Sequence, residues 1–421
     1  MNTRIKYCWV LSAIGLILFS QCFCLVPAAK AAGSNLFVKS DGTGIDCSQN
    51  NPCEPGQAMA NAVAGDTIYF MNGAYTNPLY DPYLTINKPI SLVGGWNGAP
   101  SGDLIVDPDM YEVVINGGST RSLFVVNDIS GAGGLITITG FAFKYGYASP
   151  SGGAIYIQSG RVDITGNLFQ ENIAGSYGGA IYVGSGEDVH ILNNSFVGNE
   201  VTWGGGSIFA GTSSATTLIE GNVFTGGNAD YGTAIHSDNC HLVINGNLFK
   251  DNPGHYTIDL YSNSIGSTIS NNFIIRSTQN SINLSGANTT SYEVINNTIM
   301  NAQFGISPTN SLAIVSNNII TQTNYSINNS TGALSGSNNL FFGNTNDPNP
   351  LTDPVYNDPV FINPSADNYH LGDESPAIDA GVVVALSEDY DGDERPIGDR
   401  FDIGADEVKG GFFTYLPFIV R

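Results

Sequence analysis

Charge is what this sequence has least of. Only 12% of its 421 residues are Asp, Glu, Lys or Arg, about half the share of an ordinary globular chain. Coiled coils and helical bundles need charged outer faces, so the scarcity excludes them. Positive charge is scarcer still. The 14 Lys and Arg stand against 37 Asp and Glu, a net charge of −23, which excludes a nucleic-acid partner. Helical periodicity is missing too, since no stretch of ten or more residues holds a convincing 3.6-residue pattern. Present in quantity are Gly, at 51 residues, Asn, and a hydrophobic fraction of 42%, so the chain can bury a core. A compact domain rarely exceeds about 250–300 residues. The length therefore asks for several domains or one elongated architecture.

The first 31 residues read as a secretory leader. Arg4 and Lys6 precede an apolar run from Tyr7 to Val26, and small residues follow. A basic start, an apolar middle and an A-x-A-like end define such a segment. Val26-Pro-Ala28 and Ala29-Lys-Ala31 both offer a cleavage point. Lipidation at Cys22 or Cys24 is disfavoured, because Gln21 and Phe23 precede them where a small residue belongs. Cleavage leaves no transmembrane segment and three cysteines: Cys47, Cys53 and Cys240. In an exported chain Cys47 and Cys53 are expected to close a short disulfide loop, with Cys240 a buried thiol.

The middle of the chain repeats. An Asn followed two residues later by a large apolar residue recurs at Asn167/Phe169, Asn194/Phe196, Asn222/Phe224, Asn247/Phe249, Asn272/Ile274, Asn297/Ile299, Asn318/Ile320 and Asn339/Phe341, every 21 to 28 residues. Between these lies Gly-Gly-Ala-Ile or a relative, as at Gly152–Ile155 and Gly178–Ile181. Short alternating segments such as Val162-Asp-Ile164 precede each Asn and read as strands. Strands repeating at this period describe a parallel β-helix, and parallel crossovers are right-handed. The Asn positions are expected at sharp corners, where Asn tolerates the left-handed conformation and stacked amides can bond along the axis. The Phe and Ile residues should point inward. A short helix over Gly56–Ala64 is expected to cover the first coil.

Three resemblances carry this further. The Gly-Gly-Ala-Ile and Phe-x-x-Asn pairs (Phe169/Asn172, Phe196/Asn199, Phe249/Asn252, Phe341/Asn344) resemble the repeats of bacterial polymorphic outer-membrane proteins, without their membrane barrel. The opening, with Pro52-Cys53 and Ala64-Gly-Asp-Thr-Ile68, is similar to the cap of secreted right-handed β-helix proteins. Residues Asp358–Phe361, Tyr369–Leu371, Ser375–Gly381, Asp391-Gly392, Arg395-Pro396 and Asp402–Ala405 resemble the choice-of-anchor Q module of bacterial surface proteins. That last resemblance implies extracellular or surface placement and no reaction. The organisation is then a leader over 1–31, a right-handed β-helix with an N-terminal cap over 32–345, a choice-of-anchor Q-like capping module over 346–408, and an apolar tail over 409–421. The tail is too short to span a bilayer.

Right-handed β-helices include polysaccharide lyases and hydrolases, so chemistry has to be weighed. Pectate lyases resemble this fold, but they need a calcium-binding carboxylate cluster and a basic residue. Between Arg121 and Phe341 only Arg121, Lys144, Arg161, Lys250 and Arg276 are basic. The Asn-Thr-Asp, Asp-Asp, Gly-His-Gly and Arg-Ile-Lys motifs of polygalacturonases are missing beyond the leader. Registering the coils puts Tyr156, Tyr182, Phe209, His236 and Asp259 at one outward position, a platform for sugar rings with Tyr177, Trp203 and Tyr231 as its wall. Asp163, His190 and Glu220 mark a second face, either an acid–base or metal group or a solvated polar strip. Asp389, Asp391 and Asp393 form the one dense run of oxygen ligands, a calcium loop or a hydrogen-bonded turn. The expectation is an extracellular β-helix that binds a polysaccharide or cell-surface glycan without chemistry. A polysaccharide lyase or glycoside hydrolase is the alternative, and a purely structural surface protein the third reading.

Overall fold

The computed structural model describes residues 33–76, 81–128, 133–211, 215–262, 264, 266–286, 291–329, 331–347 and 351–409. The expected leader and the tail from 410 onward lie outside them. Among the described residues the chain winds through three long parallel sheets of twelve, ten and eleven strands. Each coil contributes one strand to each sheet. Residues 161–165 belong to the twelve-stranded sheet, 168–170 to the eleven-stranded sheet and 181–183 to the ten-stranded sheet. The same order recurs one coil later at 188–192, 195–197 and 208–210. The fold is a right-handed parallel β-helix, as the repeat predicts. Among the described residues no helix is long and apolar enough to cross a membrane.

Inside, the aromatic residues stack as one column. Successive ring centroids of Phe143, Phe169, Phe196, Phe224 and Phe249 lie 5.1, 4.9, 4.7 and 4.8 Å apart. These are the coil spacing itself. Ile274, Ile299, Ile320 and Phe341 continue the column.

The corners correct one expectation. The recurring Asn does not adopt the left-handed conformation. The residue before it does: Gly166, Asn193, Gly221, Gly246, Asn271, Asn296, Asn317 and Asn338 all have φ between 53° and 66°. The recurring Asn is buried instead. Its main-chain and side-chain N–H groups both donate to the Oδ1 of the next Asn, as in Asn167 to Asn194 at 3.0 and 3.1 Å. The chain of amides runs unbroken to Asn339. A second ladder, Asn172 to Asn199, comes from the Phe-x-x-Asn pairs. At the Gly-Gly corners, Gly178 has φ +63°, and a Cβ on Gly179 would sit 2.2 Å from the Gly206 carbonyl oxygen. The next coil passes too close for any side chain.

The first coil is closed by the helix Pro55–Asn61, shorter than the 56–64 expected. The Lys88 ammonium caps its C-terminal end by donating to the Met59 and Ala62 carbonyls. The Cys47–Cys53 disulfide is formed and lies against the first strand, Asn35–Val38, whose Phe37 bonds to both cysteine main chains. Cys240 is buried and outside any disulfide.

Residues 351–355 continue the last coil: Leu351 joins the solenoid core, and Thr352 and Val355 bridge to Ser337 and Leu340. From Phe361 onward the chain folds back along the outside of the eleven-stranded sheet. Tyr369 and Ala405 pack on Leu248, Phe273, Ile275 and Met300, and Leu371, Ala377 and Ile403 pack on Ile319 and Leu340. Polar contacts join the two. The Arg276 guanidinium donates to Asp251 and Asp367, which it holds well below the ordinary carboxylate range. Lys250 pairs with the same Asp367 at 2.6 Å. Within the module the buried Arg395 meets Glu407 at 2.7 Å. Carboxylates in its recurring motifs bind main-chain N–H groups: Asp402 takes Asp379 and Val408, and Glu407 takes Ile397 and Asp402.

Candidate functional site: the aromatic face

The ten-stranded sheet carries the register expected of it. Tyr156 pairs with Tyr182, Tyr182 with Phe209, Phe209 with His236, and His236 with Asp259. Asn283 continues the row. The expectation that all five stand open to solvent is corrected. Tyr156 and Tyr182 are half-buried, while Phe209 is 5% and Asp259 1% exposed, and His236 is buried with them. Two packing effects account for this. The Tyr182 and Phe209 rings lie 5.1 Å apart and nearly parallel, at 7°, so they cover each other's faces. Tyr177, from the loop before the strand, closes over Phe209 with its ring centroid at 4.5 Å.

The exposed rings are those of the wall. Trp203 is 54% and Tyr231 41% exposed, with Tyr177 close behind. Tyr177, Gly204 and Tyr231 occupy one row along the axis. Trp203 and Tyr231 are near-parallel at 14° with centroids 6.5 Å apart. Rings at that separation leave most of each other's face uncovered. Gly204 interrupts the row, and a Cβ there would stand 2.8 Å from the His236 ring. The imidazole fills the space a side chain would take. Below it, Nδ1 of His236 lies 2.8 Å from Asp259 Oδ2, and Asp259 Oδ1 accepts from Asn283 Nδ2 at 2.7 Å. Asp259 thus makes Nδ1 the donor. Burial pushes the hydroxyls of Tyr182 and Tyr256 above their usual range, so both stay neutral donors at physiological pH. The arrangement is an aromatic rim over a hydrogen-bonding floor.

The second face comes together in part. Asp163 and His190 are cross-strand neighbours, with Asp163 Oδ1 2.9 Å from His190 Nδ1. Asp188, which the sequence reading passed over, faces Nε2 at 3.2 Å and also holds Arg161 at 3.0 Å. Glu220 is not in this group and accepts from Asn245. These are part-exposed ion pairs of a polar strip. On the outside of the corner between the twelve- and eleven-stranded sheets runs a groove of about 640 Å³, bordered by Glu112, Gly140, Gly166, Asn193, Leu168 and Gly221.

The three carboxylates expected at a calcium ion are spent separately. Asp389 is buried, and its oxygens accept the N–H groups of Asp391, Asp393 and Glu407. Asp393 pairs with Lys409. Among the described residues, the group that brings metal-ligand atoms within 4.8 Å of one another is His370, Asp391 and Asp406. Only Asp391 is shared with the expected set. Burial pushes Asp406 up to about 7, against the pull of His370. Its partners come from segments 15 to 36 residues apart, so no local motif could have announced them.

Residues 113–299 match the family model described as the right handed beta helix region. No curated protein matches the sequence. Among solved structures, the complex of XylC with xylose is similar at 11% identity and a TM-score of 0.54, covering 88% of this chain and 98% of that one. Pectate lyase Pel9A is similar at 16% identity and a TM-score of 0.49, covering 90% and 97%. A third is the PL6 family polysaccharide lyase Pedsa3628 from Pseudopedobacter saltans, at 13% identity and a TM-score of 0.45, covering 81% and 97%. At these identities the likeness is one of fold. The right-handed parallel β-helix read from the repeat, formed by three parallel sheets and matched over residues 113–299, is the fold of this chain.

Proposed function

We propose that this protein is an extracellular or surface solenoid that binds a neutral glycan on the aromatic rim of its ten-stranded sheet, without chemistry. One observation carries the reading: the Trp203 and Tyr231 rings stand exposed side by side over a floor of hydrogen-bonding groups. Aromatic faces stack on the apolar faces of pyranose rings, and the hydroxyls of the exposed Tyr177 and Tyr231 suit sugar hydroxyls. The net charge of −23 disfavours an anionic polysaccharide. XylC, whose fold is similar, is solved in complex with xylose, which is consistent with a carbohydrate partner.

The lyase alternative needs a basic side chain able to lose its proton near substrate. Four of the five Lys and Arg of the repeat region, Lys144, Arg161, Lys250 and Arg276, are each held by a carboxylate instead, which favours their charged forms. The test is a glycan array probed with the wild type and with Trp203→Ala, followed by analysis of any bound glycan for released product. Binding lost in the variant and no product supports the reading. Product release would replace it with an enzyme. Binding unaffected by Trp203→Ala but lost in Leu168→Trp would move the site to the corner groove.

A further inference from the structure

We propose that His370, Asp391 and Asp406 bind one divalent transition-metal ion, of the zinc or manganese class, which fastens the C-terminal module. The inference stands apart from glycan binding, since these residues lie on the outside of the eleven-stranded sheet and not on the aromatic rim.

The donors come from three segments: the strand Asn368–Leu371, the acidic loop around Asp391, and the segment around Asp406. Their ligand atoms lie within 4.8 Å of one another. Two independent features point to a cation among them. The first is Asp406. Its side chain is 1% exposed, and Oδ2 accepts the Leu371 N–H at 2.6 Å. Oδ1 is buried with no hydrogen-bond donor, an arrangement that is costly unless a cation completes it.

The second feature is the orientation of His370. Its main-chain N–H donates to Asn368 Oδ1 at 3.2 Å. A main-chain N–H can only donate, so that side-chain atom is the amide oxygen. Nδ1 of the same histidine lies 2.7 Å from this oxygen and must therefore carry its proton. Nε2 is turned to Asp391 Oδ2 at 2.9 Å. In a neutral imidazole this sets a lone pair against a carboxylate oxygen, a conflict resolved either by a metal ion between them or by a proton on Nε2, which the surrounding carboxylates favour. A ring N–H fixed on a carbonyl with the other nitrogen offered to the metal is the usual support of a histidine ligand. The Leu371 N–H does the same for the Asp406 carboxylate.

The donor set selects the ion. One imidazole nitrogen with carboxylate oxygens suits zinc, manganese and their neighbours. Calcium takes six to eight oxygens, and Asp389, the nearest further carboxylate of the loop, is already bound by three main-chain N–H groups. Asp391 is exposed, which gives the ion an entry path and room for water to complete its shell.

The experiment uses the full chain, stripped with a chelator and titrated with cobalt(II), whose visible d–d absorption reports nitrogen and oxygen ligation. The expected result is one equivalent bound, displaced by zinc, with a rise in Tm that the chelator reverses. Asp391→Asn should keep the far-ultraviolet circular dichroism and bind at least about tenfold more weakly. Asp393→Asn should bind like the wild type. The proposal is overturned by no absorption and no Tm shift at millimolar cobalt or zinc, which would leave a proton as the cation shared by His370 and the carboxylates. Binding unchanged in Asp391→Asn, or stabilisation by calcium alone, would overturn it as well.

Discussion

Asn296 and Asn297 are adjacent in the chain and turn opposite ways. Asn297 points into the solenoid, where its N–H groups donate to Asn318 Oδ1 at 3.0 Å and to the Ile269 carbonyl at 2.8 Å. Asn296 holds the left-handed corner, φ 53°, and donates outward to the Asp402 and Gly404 carbonyls of the C-terminal module at 2.9 and 3.1 Å. The division recurs. Asn271, Asn317 and Asn338 reach the main chain of Glu388, Val382 and Ala380, while Asn272, Asn318 and Asn339 continue the internal ladder.

The two positions should therefore respond differently to substitution. In Asn297→Ala the buried N–H groups of Asn272 lose the oxygen they share. Each unsatisfied donor costs about 1–3 kcal/mol, so denaturant unfolding should show a loss of several kcal/mol. Asn296→Gly keeps the corner conformation and leaves the internal ladder whole, removing the tether and the oxygen that accepts from Asn317 Nδ2 at 3.1 Å, so the loss should be the smaller one, about 1–2 kcal/mol. Equal losses in the two would contradict the division.

The Phe column makes a second prediction. Phe196 is fully buried between two rings, and Phe196→Ala should cost about 3–5 kcal/mol. A loss below about 1 kcal/mol in urea unfolding would place the ring outside the core.

How much of this could be read from the chain follows from the range of each signal. The solenoid was legible because every coil repeats it within 21 to 28 residues. The inward column and the register of Tyr156 through Asp259 came from period-two alternation counted from a common anchor. Solvent exposure on that face did not, because Tyr177 folds over Phe209 from a loop whose course alternation does not set. The docking of the C-terminal module left two traces. Alternation disappears in Phe273-Ile-Ile275, where all three residues are buried, as expected of a strand covered on both faces. Asn also replaces Gly before the ladder residue from Asn271 onward. Sequence alone assigned the corners to the ladder residues and left those asparagines without a role, because their outward contacts depend on segments 42 to 117 residues away.

Acid should loosen the module's attachment at Asp367. Arg276 holds the Asp367 carboxyl below its ordinary value of 3.8. A carboxylate shifted downward stabilises the folded state fully above the unfolded value and loses that contribution as pH falls through the folded one. Hydrogen exchange of the segment around Asp367 should therefore accelerate as pH drops below about 4, after correction for intrinsic rates. Asp367→Asn should remove this part of the acid dependence and raise exchange at neutral pH. An unchanged acid dependence in the variant would mean that other carboxylates hold the module.

The central claim is that the exposed rings bind sugar while the covered ones hold the fold. Trp203→Ala and Tyr231→Ala should each leave Tm within a degree or two and weaken glycan binding by about 1 kcal/mol, roughly fivefold. Phe209→Ala, by contrast, should cost about 3–5 kcal/mol of stability. The most direct single measurement is calorimetric titration of a glycan selected on the array into the wild type and into Trp203→Ala. The account predicts saturable binding by the wild type and at least a fivefold loss in the folded variant; identical affinities in the two proteins would contradict it.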